Sequence, residues 1–159
     1  MIISATGHRP NKLGGYADAV LEIQVGLAEG YLKKRRPKEV ISGLALGWDT
    51  AWAIAAIKLD LPVIAAIPFS GQESMWPAAS KQRYLLIKSL CDKVKIVSEG
   101  AYAPWKMQVR NKWMVDNSDR VAALWDGSSG GTGNCVAYAQ SVARPIDNLW
   151  TQYQKLRGV

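Results

Sequence analysis

The chain has 159 residues, 48% of them apolar and 21% charged, and carries a net charge of +7 at neutral pH. That length holds one core of ordinary size rather than two domains, and that balance excludes intrinsic disorder. No apolar run approaches the roughly 20 residues that span a bilayer, and the positive excess points to anionic partners, either nucleic acid or phosphate-bearing small molecules.

Short apolar runs alternate with longer amphipathic ones, the pattern of a parallel sheet wrapped by helices. Strands are expected at Ile2–Thr6, Glu39–Ser42, Pro62–Pro68, Lys93–Val97, Val121–Trp125 and Ile146–Trp150. Helices are expected between them at Ala17–Lys34, Asp49–Leu59, Ala78–Leu90, Trp105–Asp116 and Cys135–Ala143. Met1-Ile2-Ile3-Ser4 runs straight into the first strand without the charged segment of a secretory signal, so the cytoplasm is the expected location. Cys91 and Cys135 are too few for a disulfide framework and are expected to be free thiols. No repeat, low-complexity stretch or long linker divides the chain. The expected fold is therefore α/β: a single Rossmann-like domain over residues 1–159, with an open, mainly parallel sheet and helices on both faces. Such sheets bind ligands beyond the carboxyl ends of their strands.

The segments after the strands are accordingly the informative ones. After the first strand comes Thr6-Gly7-His8-Arg9-Pro10. Glycine lets backbone approach a ligand closely, and the Arg9 fork suits a phosphate. His8, the single histidine, is either a general acid or base or a plain hydrogen-bonding group. After the second strand, Ser42-Gly43-Leu44-Ala45-Leu46-Gly47-Trp48-Asp49 leads into a helix, so backbone N–H groups and the positive helix end converge on a place that suits an anion, unless Asp49 only caps the helix.

The loop after the third strand is polar yet holds Phe69, Gln72 and Trp76. Phe69 is expected in the core and Trp76 against a ligand, stacked on a base. The basic run Lys33-Lys34-Arg35-Arg36, with Lys38, sits where cations offset the negative end of a helix dipole.

On the helix before the fifth strand, Arg110 and Asn111 form a polar pair, and Arg110 is the leading side-chain phosphate ligand. Asp126-Gly127-Ser128-Ser129-Gly130-Gly131-Thr132-Gly133-Asn134 then runs from a strand into a helix, an N–H-rich cradle for a phosphate. Asp126, Gly130, Gly131, Thr132 and Asn134 are its candidate contacts. It is not a P-loop, because no G-K-[ST] follows. No metal site and no resident cofactor are expected.

Taken together, these segments are similar to those of the SLOG superfamily, the Rossmann-like group that includes DprA, the LOG phosphoribohydrolases and the YpsA-like proteins, and their order resembles the YpsA-like branch. The resemblance covers nearly the whole chain. It implies binding of a nucleotide-derived molecule, such as an ADP-ribose-like, NAD-derived or cyclic nucleotide signal, by a stand-alone sensor or sequestering protein that acts alone or as a homo-oligomer. LOG enzymes cleave an N-glycosidic bond with an arginine on the preceding helix, which Arg110 matches, and a glutamate three residues after the motif threonine. Cys135 stands at the glutamate position, so the resemblance implies binding ahead of hydrolysis. A third expectation, single-stranded nucleic-acid binding, has the charge in its favour and the lack of aromatics interleaved with basic residues against it.

Overall fold

Strand β1 (Ile2–Gly7) sends Ile3 and Ala5 to one face, where both are buried in the largest apolar cluster, and Ser4 to the other, where its hydroxyl meets that of Ser118 at 2.9 Å. This two-residue alternation, with both sides buried, marks a central strand covered by helices on each face. The computed structural model describes residues 1–159. After β1 come α1 (Pro10–Leu13), α2 (Asp18–Arg35), β2 (Glu39–Ser42), α3 (Trp48–Lys58), β3 (Val63–Ile67), α4 (Ala78–Leu90) and β4 (Lys93–Ile96), then α5 (Pro104–Asp116), β5 (Arg120–Leu124), α6 (Gly131–Ser141), β6 (Ile146–Asn148) and α7 (Trp150–Arg157). The six strands form one sheet in the order β4-β3-β2-β1-β5-β6, and every ladder is parallel.

The chain moves outward from β1 through β2 and β3 to β4, then returns to the other side of β1 for β5 and β6. Right-handed crossovers therefore place α2, α3 and α4 on one face and α5 and α6 on the other. Apolar contacts agree. Ala28 and Leu32 of α2, Trp48 and Trp52 of α3 and Tyr153 of α7 pack on Ile3, Val40, Val63, Ala122 and Leu124. On the opposite face Val115 of α5 and Cys135 and Ala139 of α6 pack on Val121. Trp48 and Trp52, one turn apart and wholly buried, lie 6.0 Å apart. At about 25 cal/mol per Å² and 150–250 Å² per aromatic side chain, each contributes roughly 4–6 kcal/mol of transfer free energy. No helix is long and apolar enough to cross a membrane.

The open parallel Rossmann-like sheet with helices on both faces is as expected. Three expectations about individual elements need correction. Helix α6 starts at Gly131, four residues before the expected Cys135, because its first turn makes no intrahelical N–H bonds and glycine costs less there. The last strand ends at Asn148, whose Oδ1 accepts the Trp150 N–H and starts the unexpected helix α7. A one-turn helix, α1, also interrupts the loop after β1, with Pro10 in its first turn. The basic run behaves as a helix end: Arg36 is the left-handed C-cap of α2, and Lys33, Lys34 and Arg35 are exposed.

Candidate functional site

The strand order reverses between β1 and β5, and loops on either side of such a point separate to leave a crevice at the carboxyl ends. A cavity of about 380 Å³ lies there. Of the expected residues it brings together Thr6, Gly7, His8, Arg9, Asp49, Arg110, Asn111, Gly130, Gly131 and Thr132, and it adds Asn11, Lys12, Ala45, Met107 and Ser129. A second cavity of about 450 Å³ adjoins it through shared Arg9 and Met107, and is walled by Phe69, Gln72, Ser74, Met75, Trp76 and Tyr102.

Ser42, Gly43, Gly47, Asp126 and Asn134 line neither cavity. The first four shape the walls instead. Ser42 Oγ donates to the Asp49 carbonyl and accepts the Leu44 N–H, which folds the loop after β2 back onto the start of α3. Gly43 has no room for a side chain, since a β-carbon would overlap the Arg110 guanidinium and lie 2.8 Å from Asp49 Oδ2. Gly47 has a φ of 91°, and a β-carbon there would strike the His8 carbonyl. The loops after β1 and β2 thus touch backbone to backbone, an approach that only glycine permits. Asn134 is exposed on α6, one turn beyond the cradle.

Arg110 is 3% exposed, and its donors are largely committed. Nη1 donates to the carbonyls of Gly43 (2.9 Å) and Ala66 (3.2 Å), and Nε donates to Asn111 Oδ1 (3.0 Å). The guanidinium therefore ties α5 to the ends of β2 and β3, and it reaches the cavity as a fixed positive charge rather than as a free fork. Beside it, Asp49 is 5% exposed and its Oδ1 has no hydrogen-bond partner. Burial pushes its pKa up to about 6, against the opposing pull of Arg110, Arg9 and the Ala45 backbone.

His8 Nε2 lies 2.8 Å from Asp126 Oδ1 and 3.0 Å from the Asp126 amide nitrogen. With a proton on Nε2 it donates to the carboxylate; without one it accepts the amide N–H. Burial is the leading influence on the ring and lowers its pKa. The Ser128 hydroxyl and N–H, both donating to Asp126 Oδ1, hold that carboxyl well below the usual range. His8 also packs edge-on against Trp150. The contact between His8 and Asp126 ties the loop after β1 to the loop after β5.

Four features concentrate positive potential in the cavity. Arg9 is exposed at its rim, Lys12 Nζ donates to Ser128 Oγ at 2.7 Å, Arg110 is fixed below, and the N-terminus of α6 opens at Gly130, whose φ is 136°. The N–H groups of a first helical turn have no intrahelical acceptors, so they are available to an anion. Lys12 was missed in the sequence because α1 was missed; Pro10 directly after Arg9 was the available signal. In the second cavity the Phe69 and Tyr102 rings meet edge-on at 5.7 Å, and Trp76 meets Tyr84 at 5.2 Å. Phe69 is buried as expected but also forms a cavity wall, whereas Trp76 is half-buried and shares its surface between Tyr84 and the opening. Cys135 of α6 is buried beside Val115 of α5 and Val121 of β5, and burial pushes its thiol pKa up to about 11.

The model of the YspA SLOG family matches residues 3–148, and the chain belongs to that family. It is 33% identical over 132 residues to the SPbeta prophage-derived protein YoqJ of Bacillus subtilis, covering 73% of this chain and 77% of that one. Among solved structures it is similar to DprA of Streptococcus pneumoniae, with a TM-score of 0.65, 20% identity and coverage of 91% of this chain but only 48% of DprA. It is also similar to the molybdenum cofactor binding protein of Rippkaea orientalis, with a TM-score of 0.59, 20% identity and coverage of 99% and 84%. At such identities the solved structures show a shared fold.

Proposed function

We propose that this SLOG-family chain binds a nucleotide-derived small molecule in the crevice beyond β1 and β5, with its phosphate at the start of α6 and its ring in the aromatic cavity. The observation that carries the reading is the pairing of two adjoining cavities of unlike chemistry. One is ringed by Arg9, Lys12 and the N–H groups at Gly130–Thr132, and the other by Phe69, Trp76 and Tyr102. A phosphate gains from the first and a planar ring from the second, where stacking adds about 1–3 kcal/mol. The relative named for binding the molybdenum cofactor and the DNA-processing DprA lend support, because both share this fold.

Binding is favoured over hydrolysis because the position of the LOG glutamate holds a buried thiol, Cys135, which cannot serve as the carboxylate. Incubating the purified chain with a panel of nucleoside phosphates, ADP-ribose, NAD and cyclic nucleotides tests both points. The expected result is thermal stabilisation by at least one nucleotide, which is recovered intact by mass spectrometry. Stabilisation by none of them would overturn the reading, and release of free base or ribose phosphate would replace it with the hydrolase.

A further inference from the structure

Asp49 is the one carboxylate lining the positive cavity. A carboxylate there repels the anion that its surroundings attract, so its presence calls for a reason. Helix capping does not supply one: Gly47 is the N-cap of α3, and no side-chain bond caps that helix. The charge of buried Arg110 offsets that of Asp49 but gives it no hydrogen bond, because no Arg110 nitrogen lies within 4.0 Å of the carboxylate and the Arg110 donors go to carbonyls and to Asn111. Oδ1 is left buried without a donor, an arrangement that costs free energy and that a ligand donor would relieve.

The surroundings limit what that donor can be. A cationic donor is disfavoured by Arg110, Arg9 and Lys12, which lie on the same cavity. The N–H edge of a flat ring has its own place in the adjoining aromatic cavity, where Gln72 keeps a second buried unpartnered acceptor, Oε1, while its Nε2 donates to the Gly43 carbonyl. What remains is a neutral hydroxyl carried near the phosphate, between it and the ring. In a nucleotide that place belongs to the sugar. Acidic residues accepting from a ribose hydroxyl occur in dinucleotide sites of Rossmann-type sheets, although there the phosphates sit after the first strand.

We infer that Asp49 accepts a hydrogen bond from a sugar hydroxyl of the ligand and so selects ribose-bearing over deoxyribose-bearing nucleotides. The inference rests on the nucleotide reading of the same site. It names what that reading leaves open, the sugar, and it sets the site against the sugar of DNA.

The test is a set of affinities for adenosine 5′-monophosphate and its 2′-deoxy, 3′-deoxy and 2′,3′-dideoxy counterparts, with ribose 5-phosphate beside them, on the native chain and on Asp49→Asn. Hydrogen bonds to a charged acceptor make about a ten- to hundredfold difference in affinity. The native chain should lose that much when the recognised hydroxyl is removed, and Asp49→Asn should show less than about a threefold difference across the series, the pattern of a closed double-mutant cycle. Equal affinity of the native chain for ribo and dideoxy compounds overturns the inference and leaves the nucleotide reading standing. A hydroxyl effect of the same size in Asp49→Asn overturns it too, by moving recognition to another group. Failure of these five probes and of the wider nucleotide panel to bind the native chain removes the nucleotide reading and the inference together; if only a larger nucleotide of that panel binds, its own ribo and deoxy forms take the place of the five. Thermal melting of Asp49→Asn, run alongside, shows that a flat series comes from a folded protein.

Discussion

Exchanging Asp49 for asparagine keeps the side-chain shape and removes the charge. An aspartate in an unfolded chain titrates near 4, whereas here the folded protein pushes the group up to about 6, with burial as the leading cause. The folded state therefore holds the proton more tightly than the unfolded state does. Stability is then lost as pH rises from about 4 to about 6, and the full cost is present above that window. Two pKa units at about 1.4 kcal/mol each put the cost near 3 kcal/mol at neutral pH. Asparagine in the same place brings polar atoms without partners, which takes back about 1–2 kcal/mol. The net expectation is that Asp49→Asn is more stable than the native chain at pH 7 by about 1–2 kcal/mol, or roughly 2–8 °C in melting temperature for a domain of this size. Urea unfolding of both proteins between pH 4 and 8 measures it. The two curves should cross: near pH 4 and below the native chain is the more stable by about the 1–2 kcal/mol that asparagine loses, the order reverses between pH 4 and 6, and the gap is constant above. A variant less stable than the native chain at pH 7, or a gap that does not change with pH, would refute the reasoning.

Gly43→Ala places a β-carbon against the Arg110 guanidinium and close to Asp49; because both neighbours are held, it should cost about 1–3 kcal/mol in urea unfolding and weaken ligand binding as well. Arg9 is exposed at the rim, so Arg9→Ala should leave the melting temperature within about 2 °C while weakening a phosphate-bearing ligand, with a shallower dependence of affinity on salt.

Much of the architecture could be read in the chain because its strands are short apolar runs bounded by turn residues, and the helices α2 to α5 are long enough for their ends to fall within about a residue of expectation. The parts missed were local. A single-turn helix such as α1 has too few residues for a periodic signal, and α7 starts from one side-chain acceptor, Asn148 Oδ1, that no pattern reveals. The positions around the crevice were accessible to sequence reasoning because glycines and polar residues following strands have few other reasons to cluster. Their duties were less accessible. Arg110 looks like a ligand fork in the sequence, and only the carbonyls of Gly43 and Ala66, contributed by two other strand ends, show that most of its donors are spent. Asp49 looks like a cap, and only burial with an unpartnered oxygen marks it as something else.

The bonds from Arg110 to Gly43 and Ala66, together with the His8–Asp126 contact, join four separate loops and helices before any ligand arrives. A receptacle fastened in this way surrenders little conformational freedom when it fills, so affinity measures chemical fit rather than the expense of ordering a loop. Association should then proceed in one step, with no slow phase to gate it, and how long an occupant stays depends on the contacts it makes itself.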